Sequence, residues 1–202
     1  MPGSGSIREW LISDQPYGRS VCSLDMEDMK AKIIQRAIRM AISAREIPSL
    51  NDLAQASGLS KGGLIHHFPT RYALLEAIVH HGIRSVDDAL EKAQNDGSVL
   101  RTWLELSLPG GEDVALFHAL ASVFFATTST GENLTQMAID ANQRWEDLLE
   151  RELGSPSGAR VARLLGDGLL LGAVAGTITP STADEHLAVA LRAVQAVVDS
   201  RQ

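Results

Sequence analysis

The feature that most constrains this chain is a set of closely spaced helix stops and starts: Pro48–Ser49, Gly58–Leu59–Ser60 and Pro69–Thr70. Proline cannot continue a helix, and Ser or Thr just before an apolar run supplies an N-cap. The breaks therefore cut residues 50–68 into two short helices. Leu50, Leu53 and Ala54 give the first a buried face, and Gly58 suits the left-handed residue that closes it. Ser60 caps the second, which runs to about His67 with Leu64 and Phe68 turned inward.

The flanking segments keep a helical period. From Asp25 to about Arg45, apolar residues recur at Met29, Ile33, Ala37, Met40, Ala41 and Ala44, while Lys32, Arg36 and Arg39 line another face. After Thr70, residues Leu74, Leu75, Ile78, Val79, Gly82, Ile83, Val86 and Leu90 carry an apolar face to about Gln94. Asn95–Ser98 reads as a turn, and further helices are expected at about 98–107, 112–128, 132–152, 157–178 and 182–200. No alternating β pattern of useful length occurs. The expectation is an all-α fold of about nine helices, with a Gly/Ser/Pro-rich mobile tail over 1–24, a three-helix head over 25–68 and a larger helical body over 69–202.

Composition narrows the partners. With 202 residues, 45% of them hydrophobic, the chain can bury a substantial core. Its longest apolar stretches, Gly168–Ile178 and Val114–Thr127, fall short of the ~18–20 residues of a membrane span. The first residues lack the basic start and apolar core of a secretory signal, so a cytoplasmic location is the default expectation. A single cysteine, Cys22, leaves no intramolecular disulfide and no multi-cysteine metal site. The formal net charge is −7, yet residues 29–72 hold seven basic residues against two acidic ones, a net of +5. A basic head thus joins an acidic body, which fits a polyanionic partner at one end, or else chance clustering on a solvated surface.

Within the head, SKGGLIHHF (60–68) places two glycines and two histidines in one short helix. Glycine inside a helix costs about 0.5–1 kcal/mol relative to alanine, so close approach of a phosphate, a base edge or a metal, or simply a turn, would have to compensate. Two short helices joined by a tight turn have the dimensions of a helix-turn-helix, whose second helix enters the DNA major groove; a plain helical hairpin has them too. Adjacent helical residues diverge by about 100°, so neither His66–His67 nor His80–His81 can chelate one ion through both rings, and no metal site is expected. SGLSKGG is not a phosphate-binding loop, because no Ser or Thr follows Lys61 and no strand precedes it.

The run SLNDLAQASGLSKGGLIHHFPTRYALLEAIV, residues 49–79, preceded by KAKIIQRAIRMA, resembles the DNA-binding signature of the tetracycline-repressor (TetR) family. Its GGLIHHFPTRYALL portion is similar to the subgroup of multidrug-sensing efflux repressors. The resemblance implies that Ser49, Ser60 and His67 contact phosphates, that Thr70 and Arg71 hold the DNA backbone, and that Lys61, Gly62, Gly63 and His66 face the groove. Two departures stand out. Ile65 occupies a position where the family usually has an aromatic, so an apolar contact replaces a hydroxyl one, and the loop before Ser49 lacks the usual Gly-aromatic pair.

The resemblance also implies that the body binds an inducer and dimerises. Trp103, Phe117, His118, Phe125, Met137, Asp140, Trp145 and Asp167 are the candidate effector-binding residues, each with core packing or a surface role as the competing reading. Gly168, Gly172 and Gly176 repeat every four residues, and the next helix carries Leu187, Leu191 and Val194 on one face. Together they suggest a four-helix bundle across a twofold homodimer, against packing within one chain. The expected function is a ligand-responsive, sequence-specific DNA-binding regulator, most simply a repressor released from a near-palindromic operator in double-stranded DNA by a small apolar or amphipathic effector. No cofactor is implied, and no nucleophile–base–orienter set suggests an enzyme. The alternative is a helical small-molecule-binding or catalytic protein that retains the head as a packing module.

Overall fold

The computed structural model describes residues 24–44, 46–108, 110 and 132–200. Among them are eight helices and no strand: α1 (Leu24–Ala44), α2 (Leu50–Ser57), α3 (Lys61–His67), α4 (Arg71–Gln94), α5 (Val99–Leu106), α6 (Glu132–Leu153), α7 (Pro156–Val174) and α8 (Ala183–Asp199). The expected helix at 112–128, with Phe117, His118 and Phe125, and nearly all of the expected tail lie outside the described residues.

Two apolar clusters organise the chain. In the head, Ile33, Ile34, Ala37, Ile38 and Ala41 of α1 pack with Ile47, Leu53, Leu64, Phe68, Leu74 and Ile78. The buried face of α1 is wider than its expected stripe: Ile34 and Ile38 join it, while Met29 and Ala44 stay exposed. The reason is that α1 packs on both α2 and α4, and a helix covered from two sides buries adjacent positions. In the body, Leu90, Val99, Trp103, Leu104, Leu149, Ala159, Ala162, Ala190 and Val194 form the second cluster. Helix α4, 24 residues or about 36 Å long, contributes to both.

A seam along α4 and α6 ties head to body. Leu134 of α6 is buried in the head cluster and Met137 packs against it. Asn133 donates its side-chain amide to the Glu76 carboxylate. Further along, the Asp87 carboxylate accepts from Arg144 at 3.0 Å and from the Trp145 indole N–H at 2.6 Å.

The helix ends follow local chemistry in most places. At α2, Gly58 takes φ 68°, its N–H reaches the Gln55 carbonyl, and the Leu59 N–H reaches that of Ala54 at 3.0 Å. This paired closure is a Schellman motif, and it makes the tight turn into α3. The same motif ends α7. Gly176 adopts φ 74°, its N–H bonds the Ala173 carbonyl, and the Thr177 N–H bonds that of Gly172 at 2.9 Å. Helix α7 therefore stops at Val174 rather than at 178, because Gly176 serves as its left-handed terminator.

Candidate nucleic-acid interface

Capping chemistry positions the α2–turn–α3 unit. The Ser49 hydroxyl accepts from the Asp52 N–H at 3.2 Å, Ser60 from the Gly63 N–H at 3.1 Å and Thr70 from the Ala73 N–H at 3.0 Å. A hydroxyl that accepts a cap bond still has its own proton to donate. At Ser49 that proton is engaged by the Asp52 carboxylate at 2.6 Å, so Ser49 can give it to an incoming phosphate only by giving up this bond.

Helix α3 buries Leu64 and is closed by Phe68, 1% exposed, while Lys61, Gly62, Ile65 and His66 face outward and His67 is half-buried. The imidazoles of His66 and His67 meet edge to face, 5.7 Å between centres and 70° apart. The two glycines differ. A Cβ at Gly63 would come 3.3 Å from the Ser60 hydroxyl, whereas one at Gly62 would meet no described atom within 4 Å. Gly63 thus gives room to the cap, and Gly62 leaves an open notch on the outer face.

Arg71 is turned partly into the protein. Its guanidinium donates to the Ile47 carbonyl at 2.7 Å, with the Glu46 carboxylate at 4.0 Å. It thereby fastens the start of α4 to the loop that precedes α2. A cation not singled out in the sequence also reaches this end of the head: the Lys30 ammonium lies 5.7 Å from the centre of the Phe68 ring. Helical spacing alone put Lys32, Arg36 and Arg39 on one face and gave Lys30 no partner; its neighbour is set by the tertiary packing of α1. Lys32 instead pairs with Asp28 at 3.0 Å.

The described effector candidates do not converge on one cavity. Trp103 is buried in the body core, its indole N–H donating to the Ala162 carbonyl at 2.9 Å and its ring 5.4 Å from that of Trp145. Met137 belongs to the head–body seam, and Asp140 is exposed and accepts from Gln136. Asp167 pairs with Arg163 at 2.6 Å, and Arg163 with Arg160 also grips Glu146. Partial burial raises the Asp167 carboxyl above its ordinary range despite the opposing pull of Arg163. On α4, partial burial, reinforced by Arg84, lowers the His80 imidazole, while Asp87 works the other way. A hollow of about 530 Å³ lined by Asp147, Glu150, Arg151 and Gly154 contains none of the candidates.

The residues expected on a dimer face are also redistributed. Val194 is fully buried, and Leu187 and Leu191 pack against the chain's own body core, because this is the face that α8 lays on α7. A Cβ at Gly172 would come 2.7 Å from Ile178 of the same chain, and Gly176 lies in the turn after α7. Only Gly168 is both helical and open. The large apolar side chains left outward on these two helices are Leu164, Leu171 and Val189, at 53%, 70% and 51% exposure. A close approach that sequence reasoning missed is Gly166, where a Cβ would press on the Trp103 indole nitrogen.

Among the described residues, no helix is long and apolar enough to cross a membrane. Residues 36–78 match the family model described as bacterial regulatory proteins, tetR family. No curated protein matches the chain. The matched stretch runs from the middle of α1 through α2 and α3 to Ile78 of α4, which is the capped unit described above. Over residues 36–78 the head of this chain is therefore similar in sequence to bacterial regulatory proteins of the tetR family, and its α2–turn–α3 unit has the build of a helix-turn-helix.

Proposed function

We propose that this protein is a sequence-specific repressor that binds a near-palindromic operator as a homodimer, placing α3 of each head in successive major grooves, and that a small apolar or amphipathic effector in the body releases it. The observation that carries the reading is Gly62. Alanine at this helical position would meet no described atom and would favour the helix by about 0.5–1 kcal/mol, so the fold itself gives no reason for glycine. A helix that must sit close to the floor of a groove does give one. Lys61, His66 and His67 supply donors around the notch, and Ser60, Thr70 and Arg71 stand at its borders.

The outward Leu164, Gly168, Leu171 and Val189 support the homodimer, since an apolar surface of this kind on two packed helices is what a second copy would cover. The α4–α6 seam supports the coupling: a ligand that shifts the body moves groups bonded directly to the helix that carries the head. The size of that shift is bounded by the ligand's differential affinity for the two states.

Binding to a duplex from the gene's own upstream region, measured at several salt concentrations, tests the reading. Specific affinity falling steeply with salt is the expected result, and no preference over random DNA would overturn it. In the same assay Gly62→Ala should raise the melting temperature yet weaken binding about tenfold or more, the mark of a position kept for its partner. A Gly62→Ala protein that binds like wild type would remove the main support.

A further inference from the structure

The outer face of α3 has an unusual centre. At about 100° per residue, Lys61, Ile65, Gly62 and His66 fan in that order over an arc of about 140°. The cationic and the imidazole side chains stand at the edges, with an aliphatic group and an open notch between them. Ile65 is 39% exposed, whereas Ile33, Ile34, Ile38, Ile47 and Ile78 of the same head are all buried. One exposed aliphatic residue is ordinary on any protein surface. What sets Ile65 apart is its place beside Gly62, where a Cβ would find no described atom within 4 Å and the groove floor can come near.

The major-groove edges of the bases present hydrogen-bond donors and acceptors, and one aliphatic group, the C5-methyl of thymine. An isoleucine cannot satisfy a donor or an acceptor, and pressing it against one would leave that group dry at a free-energy cost. Resting on the reading of α3 as the groove-entering helix, we propose that Ile65 is a specificity-determining residue that packs on a thymine methyl in each half-site, with Gly62 providing the clearance. The contact favours thymine over cytosine, which presents an amino donor to the same region of the groove, and over uracil, which lacks the methyl.

The test begins with selection of a binding sequence from a random duplex library by the full-length protein. Each thymidine of the selected duplex is then replaced singly by deoxyuridine, which keeps every hydrogen-bonding group and removes only the methyl. Fluorescence anisotropy at fixed salt should find one thymine per half-site at which the replacement weakens wild-type binding about fourfold, the worth of one buried methyl-sized group. At that position Ile65→Ala should have lost the sensitivity and Ile65→Val should keep part of it, with circular dichroism showing the native helix content of both variants. If no position loses more affinity with wild type than with Ile65→Ala, the proposal is overturned while sequence-specific binding stands. A library that stays random under selection overturns the DNA-reading premise instead, and the proposal with it.

Discussion

Single atoms decide more here than residue type does. Gly62 and Gly166 both sit inside helices, and local sequence does not separate them. In space they are opposites: a Cβ at Gly62 meets nothing described, while one at Gly166 would press on the Trp103 indole and on the Ser107 hydroxyl at 2.7 Å. The indole cannot retreat without breaking its bond to the Ala162 carbonyl. Gly166→Ala is therefore expected to destabilise the fold by about 1–3 kcal/mol, the usual cost of overpacking a tight core, in the same urea titration in which Gly62→Ala stabilises it. A neutral Gly166→Ala would mean that the Trp103 contact is loose. The caps at Ser49, Ser60 and Thr70 were legible because a cap is chemistry between residues three apart. Gly166 was not, because its reason lies in a side chain far away in sequence.

At the scale of helices, boundaries followed sequence wherever the terminating signal was local, as with α2 and α3. They drifted where one signal had two readings. The four-residue recurrence of glycines at 168, 172 and 176 looked like a single strip, but its last member is the αL residue that ends α7. The start of α5 shows the other kind of loss. Ser98 precedes it, but its hydroxyl donates to the Asp96 carboxylate and makes no cap bond. The two oxygens of Glu152, at the far end of α6, accept the N–H groups of Val99 and Leu100 at 2.7 and 2.9 Å. A carboxylate taking two first-turn N–H groups satisfies orphan donors and complements the positive end of the helix. Glu152→Ala should therefore cost about 1–2 kcal/mol in thermal or urea unfolding, while Ser98→Ala stays within about 0.5 kcal/mol of wild type. The reverse order would assign the cap to Ser98 instead.

For the molecule as a whole, the sequence disclosed a basic helical head on an acidic helical body, but not which side of the body is inside. Periodicity finds an apolar face; it does not tell whether that face meets the chain's own core or a second copy. On α8 the chosen face, Leu187, Leu191 and Val194, went to the core, and the outward apolar residue is Val189. The two faces make opposite predictions for the same kind of substitution. Leu171 is 70% exposed, so Leu171→Glu should leave the folded chain intact and act only where a partner covers that site, by burying an unpaired carboxylate in the interface. On the proposed homodimer, light scattering should then show a folded monomer, with affinity for the proposed operator reduced because two heads would no longer be linked. Val194→Glu places the same charge inside the body core and should unfold the chain rather than divide a dimer. A Leu171→Glu, Leu164→Glu double variant that remains a dimer would move the interface away from the outward face of α7, whereas a Val194→Glu protein that becomes a folded monomer would restore the face first chosen from the sequence.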